Sequence, residues 1–262
     1  MPHVILKRVW DYCTYSKGFF AFILILLFVS SLIQNYVRAA GNSIVWAVLQ
    51  ILVFISVSGY GMLITKSRIN HGKRLPKIVV KDIISLGVKS SILMSIYILV
   101  QGWILHYVCS FLNFSQFNLE EMLLNWTGTI HLLFHHEPIT AILFLIFGFA
   151  IFYATTFFME ISLAMLADTD SLLSALNLIS IKRDIDVVGW RNYAKEYTLI
   201  VLAIVILTYL VSFDIPFISI DSMFDMILSF LIFATQYLGI GAVYCKIKDL
   251  KSGREWLKDI MI

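Results

Sequence analysis

Hydrophobic positions in this chain come in long unbroken blocks. They show neither the period of two of a half-buried strand nor the one-sided stripe of a soluble helix. Six blocks, at about 18–37, 43–65, 83–112, 138–167, 198–217 and 223–245, are long enough to cross a membrane. A hydrocarbon core of about 30 Å takes about 20 helical residues. In lipid, a helix satisfies the backbone groups of a single segment internally, so each block predicts a transmembrane helix. The third and fourth blocks exceed the bilayer and predict projection or tilt.

The polar positions between blocks give a direction. Eighteen of the 20 Lys and Arg fall in alternate segments: before the first block, around 66–81, around 182–195, and after residue 245. Arg38 alone lies on the opposite side, and Lys89 lies inside the third block. By the positive-inside rule both termini are cytoplasmic. Val37-Arg38-Ala39 has the small-residue spacing of a cleavage site, but its apolar run is too long for a signal peptide, so an uncleaved span is expected. Composition agrees: 60% of the 262 residues are hydrophobic and 14% charged, with a mean hydropathy of +0.86. The expected fold class is all-α, a polytopic bundle of six transmembrane helices in one domain (1–262) in the cell membrane. The net charge of +3 sits at block ends, where anionic headgroups attract it. Membrane lipids are therefore the expected partners, with no nucleic acid. Cys13, Cys109 and Cys245 make no disulfide framework: Cys109 is expected on the outer side, the others in the reducing interior.

Three segments are expected to lie on the inner interface. In 168–197, Asp168-Thr169-Asp170-Ser171 offers N-cap chemistry. Leu172, Leu173, Leu176, Ile179 and Val187 then recur at helical spacing, Gly189 supplies a bend, and Trp190, Tyr193 and Tyr197 form an aromatic belt. The tail 246–262 repeats the design, with Ile247, Leu250, Trp256, Leu257 and Ile260 toward lipid and lysines toward headgroups. The N-terminal VILKRVWDYCTY is a weaker case. These segments serve as interfacial anchors or as docking helices for membrane protein partners or a second copy of the chain.

The second block ends in Gly59-Tyr60-Gly61, the tripeptide of potassium-channel filters. A filter is a non-helical loop near the outer surface, whereas this tripeptide falls within about two helical turns of the inner face, with no re-entrant segment before it. Two glycines instead predict close helix packing, with Tyr60 toward the interface and Gly87 of the third block in the same packing motif. The run GYGMLITKSRINHGKRLPK, followed by DIISLGVKSSILMSIYILV with Gly87-Val88-Lys89, resembles an archaeal multipass family catalogued as domain of unknown function 4013. LADTDSLLSALNLISIKRDIDVVGWRNYAKEY resembles the family's stretch before its fifth helix. The resemblance covers about residues 20–245 and implies a multipass membrane fold; it implies no activity.

Candidate chemistry is sparse. Lys89 and Glu160 both lie near 10 Å deep at about 1.5 Å per residue. Opposite signs at matching depth predict an intramembrane ion pair, either a packing staple or a proton- or cation-coupled site; alternatively Lys89 snorkels to the headgroups. Gln50, Gln101 and Gln236 are available for interhelical hydrogen bonds. In the outer 113–137 loop His131 and His135 stand at i, i+4, with Glu137 or His106 as a third zinc ligand; Leu132, Leu133 and Phe134 between them rule out a His-Glu-x-x-His protease. The loop also holds the acceptor patterns Asn113-Phe-Ser115 and Asn125-Trp-Thr127. Phosphate-binding loops, nucleophile elbows and Cys-x-x-Cys are missing. The expectation is a non-enzymatic membrane protein without cofactor, organising lipid or protein partners at the inner face. The alternatives are a small-solute or ion transporter using Lys89 and Glu160, and a metalloprotein with an outer-face zinc site at His131, His135 and Glu137.

Overall fold

The computed structural model describes residues 2–39, 43–111, 138–211 and 221–253. Among them every element is helical, as the block pattern requires, and no strand occurs. The helices are α1 (Pro2–Thr14), α2 (Lys17–Ala39), α3 (Ser43–Ile69), α4 (Val80–Phe111), α5 (Pro138–Thr169), α6 (Leu172–Ala175), α7 (Leu178–Val188), α8 (Trp190–Val211) and α9 (Asp221–Lys251). Five of these, α3, α4, α5, α8 and α9, are long and apolar enough to cross a membrane. α2 covers the first predicted block and meets α1 at a 93° bend; taking the pair as one span gives six.

Several boundaries differ from expectation for a physical reason. α8 starts at Trp190, and α9 continues to Lys251. The sequence pattern placed both stretches on the interface because they carry charge. Lys246, Lys248 and Lys251 of α9 are instead matched by acidic partners, the first of them Glu196 of α8, and a neutralised cation no longer forces a helix out of the protein. Gly189 does break the chain between α7 and α8, with φ +86°. Tyr193 and Tyr197, expected in a headgroup belt, are buried, and so is Ile247, expected to face lipid. The predicted stripe through Leu172, Leu173, Leu176 and Ile179 is split by two short helices. Ser171 caps α6 by accepting from the Ser174 amide, and Asn177 caps α7 by accepting from Ile179 and Ser180. As a result Leu173 and Ile179 are exposed, while α7 buries Ile181, Asp184, Ile185 and Val188.

The described residues fall into two compact units, 1–92 with 160–262, and 93–159. The smaller comprises the distal parts of α4 and α5; within it Thr155 donates to Gln101 Oε1 at 3.2 Å. In the larger unit α9 is central, with half of its most apolar window buried inside the protein. Apolar burial cannot drive helix association in lipid, so small residues and interhelical hydrogen bonds must. A Cβ on Gly59 would lie 2.0 Å from the Ile83 carbonyl oxygen, and one on Gly87 would lie 2.1 Å from that of Ile55. α3 and α4 thus cross backbone to backbone. Gly61, about 200° further round α3, lies under the Tyr237 ring of α9, 2.4 Å from an added Cβ. One turn on, Thr65 donates to the Tyr237 carbonyl at 3.0 Å. The Gly-x-Gly spacing therefore lets α3 be approached closely from two opposite sides. Between the glycines, Tyr60 donates its hydroxyl to the Pro76 carbonyl at 3.2 Å. That bond ties the Gly-Tyr-Gly to the Leu75-Pro76 of the following loop.

Candidate functional site

The last two turns of α9 form an ionic hub. Lys246 pairs with Glu196 of α8. Lys248 reaches Asp168 at the end of α5 at 2.6 Å. Lys251 reaches Asp184 of α7 at 2.5 Å. Asp249 faces His71, just past α3, with Nε2 to Oδ1 at 3.4 Å. Four consecutive charged residues of one helix end thus fasten four other elements. The sequence pattern assigned these lysines to lipid headgroups; each has an acidic partner on another element instead. Asp184 is the most enclosed member, with 1% of its side chain exposed, and its Oδ2 has no hydrogen-bond partner among the described residues.

Lys89 belongs to the same end of the chain's helices. Its ammonium binds the Asp170 carboxylate at 2.6 Å and the Asp170 carbonyl at 3.0 Å. The expected Lys89–Glu160 pair is therefore corrected. Asp170, at φ +56°, terminates α5 within reach of the lysine, and the flexible stem carries the charge outward to it. Glu160 is satisfied differently: its Oε1 accepts from Gln236 Nε2 at 3.1 Å, and its Oε2 is buried without a partner among the described residues. It borders a cleft of about 10 Å³ with Tyr193, Tyr197 and Tyr244, about the room one water needs. Because the two residues have separate partners, the effects of Glu160→Gln and Lys89→Met on thermal stability should add. Lys89→Met alone should cost less than about 1 kcal/mol, because its pair is solvent-exposed. Rescue of one change by the other in a double-mutant thermal melt would contradict this arrangement.

The remaining sequence-derived residues divide clearly. Gly59, Tyr60, Gly61 and Gly87 are brought together around α3 as the packing motif. His131, His135 and Glu137, with both acceptor patterns, lie outside the described residues. His106 is exposed on α4. Cys13 and Cys245 are free, buried thiols, and the side chain of Cys109 is outside the described set. One cluster escaped the sequence reading: the ligand atoms of His71, Cys245 and Asp249 all lie within 4.8 Å of one another. Cys245 and Asp249 stand at i, i+4, a detectable signal, but nothing in the pattern connects them to a histidine 174 positions away.

Comparison with known families bears on this architecture directly. The family described as Protein of unknown function (DUF4013) matches residues 43–218, more than half of the chain. The chain belongs to the DUF4013 family. No curated protein and no solved structure is found to match. In this DUF4013 member the matched stretch contains the Gly59–Gly87 crossing, the Tyr60–Pro76 bond and α6 to α8. It is shorter than the expected 20–245, and α9, which supplies Gln236 and one side of every pair in the ionic hub, lies beyond it.

Proposed function

We propose that this protein is a non-enzymatic membrane protein that organises anionic lipid at its cytoplasmic face. The observation that carries the reading is the two-sided build of α7. One side, Ile181, Asp184, Ile185 and Val188, is buried, and Asp184 is fastened to α9 by Lys251. The other side exposes Leu178 and Ile179, followed one turn later by Lys182 and Arg183. A rigidly held helix with apolar residues to insert and cations beside them matches the headgroup layer of an anionic bilayer. The alternative of a solute or ion transporter rested on a Lys89–Glu160 pair. With Lys89 bound to Asp170 and the cleft at Glu160 sized for about one water, the geometry favours the lipid reading.

The test is the lipid retained by the full chain after mild extraction, measured by mass spectrometry. The wild type should be enriched in anionic lipid over the bulk membrane. Each basic residue near the surface contributes about 1 kcal/mol, so Lys182→Glu with Arg183→Glu should bring the retained lipid back to bulk composition. Bulk composition in the wild type would remove the reading. A stoichiometric protein released by the same reversal would make the surface a protein-docking face instead.

A further inference from the structure

We infer that His71, Cys245 and Asp249 bind one thiophilic divalent transition metal of the zinc class, closing the end of α3 onto α9. Cys245 and Asp249 lie one turn apart on α9, and His71 sits just beyond α3. The Cys245 sulfur is 3.6 Å from Nδ1 and 3.9 Å from Nε2 of His71. It is 3.8 Å from Asp249 Oδ2, and His71 Nε2 is 3.4 Å from Asp249 Oδ1. Metal–ligand bonds of about 2.1 Å to nitrogen or oxygen and about 2.3 Å to sulfur give tetrahedral edges of about 3.4–3.7 Å. The individual approaches are close to that spacing, and with one ligand atom taken from each residue the three atoms all lie within 4.8 Å of one another, so side-chain rotation alone can close them onto one ion.

The backbone supplies an independent observation. α3 closes with paired bonds from Gly72 N to Ser67 O at 2.7 Å and from His71 N to Arg68 O at 3.0 Å. That is a Schellman ending, whose left-handed residue is usually glycine or asparagine. His71 holds this place at φ +60°. Glycine would close the helix without strain, so the fold alone does not call for an imidazole here, and strain kept beside a ligand-bearing cluster points to a role for the side chain.

The chemistry of the donors selects the ion. A thiol and a carboxylate on one helical turn converge, and both become anions when they ligate. A dication neutralises the two charges, and the sulfur favours zinc-like ions over magnesium or calcium. As the metal–sulfur bond forms, the thiol proton leaves to solvent. The half-exposed imidazole leaves an approach from water, and three protein ligands leave a fourth position open. Among neighbouring cations, Lys248 is held by Asp168, and the Arg68 stem packs against Gly241. A Cys–His–Asp nucleophile would use the same residues. In that arrangement the carboxylate stands beyond the imidazole; here it also approaches the sulfur, where its charge opposes a bare thiolate.

The experiment is a titration of the full-length protein in detergent micelles with Co²⁺, followed by absorption spectroscopy and a thermal melt. The expected result is one equivalent bound, with thiolate-to-cobalt charge transfer and tetrahedral d–d bands. Cys245→Ser should remove the charge-transfer band. His71→Gly and Asp249→Asn should each weaken binding at least the ~10–100-fold seen even for outer-shell changes. His71→Gly relieves the backbone, so its metal-free form should melt no lower than the wild type. No charge-transfer band in the wild type, or an undiminished one in His71→Gly, overturns the site. Alkylation of Cys245 that depends on His71 and is not slowed by metal also overturns it, and assigns the nucleophile instead.

Discussion

Gly59→Val should leave almost no folded protein in the membrane fraction, while Gly102→Val should be accepted. At Gly59 the first added carbon falls 2.0 Å from the Ile83 carbonyl oxygen and 3.0 Å from the Gly87 nitrogen. Both are backbone atoms of a helix and have no rotamer to escape into, so α3 and α4 must separate. Overpacking that side chains can absorb costs about 1–3 kcal/mol. Separation of two helices forfeits their contact entirely, against a total stability of about 5–15 kcal/mol. Gly87→Val meets the reciprocal obstacle at the Ile55 carbonyl, 2.1 Å away, and should be equally damaging. Gly61→Val meets the Tyr237 ring at 2.4 Å; a side chain can shift where a peptide cannot, so its loss should be smaller. At Gly102 nothing among the described residues comes within 4 Å. Monodisperse yield by fluorescence-detected size exclusion would rank the four variants. Equal yields for Gly59→Val and Gly102→Val would mean that α3 and α4 do not cross at this point.

Lys251→Met should lower the unfolding free energy by about 2–3 kcal/mol, and adding Asp184→Asn should return most of it. Asp184 is almost wholly enclosed, and Lys251 is its cationic partner. Removing one member of a buried pair leaves a charge without compensation, at about 3–5 kcal/mol. The lysine is 39% exposed, so solvent already screens part of the interaction and the cost is discounted to about 2–3 kcal/mol. Replacing the carboxylate as well removes the stranded charge, which is why the double variant should recover. Because this pair fastens α7, the single variant should also be cut faster within 178–188 under limited proteolysis. Equal stability of Lys251→Met and wild type would show that the pair does not hold α7.

These consequences differ in how far the sequence foretold them. The spans were legible because hydrophobic length is a local property: a segment without charges must leave water whatever surrounds it. The Gly-Tyr-Gly motif was legible as packing for a related reason, since two small residues in an apolar helix announce a close neighbour. Its partners were not legible. Gly87 belongs to the expected packing motif, but its contact with the Ile55 carbonyl depends on how α3 and α4 cross, and the Tyr60–Pro76 bond needs the loop folded back along α3. The charged positions misled most. Lys246, Lys248 and Lys251 read as headgroup contacts, and Tyr193 and Tyr197 as an aromatic belt, because a basic or aromatic residue near a span end is equally suited to lipid and to a protein partner.

The chain's alternation of oily blocks and cations determined by itself an all-helical, multispan protein, and its glycines marked where helices approach. Solvation acts on each segment separately, so one dimension suffices to record it. Tertiary structure decided every pairing: Lys89 with Asp170 rather than Glu160, Glu160 with Gln236, and His71 with Cys245 and Asp249. Such contacts join positions at least 76 residues apart. Which of several suitable charges meet depends on helix rotation and crossing, and those are set by packing against neighbours that no local pattern contains.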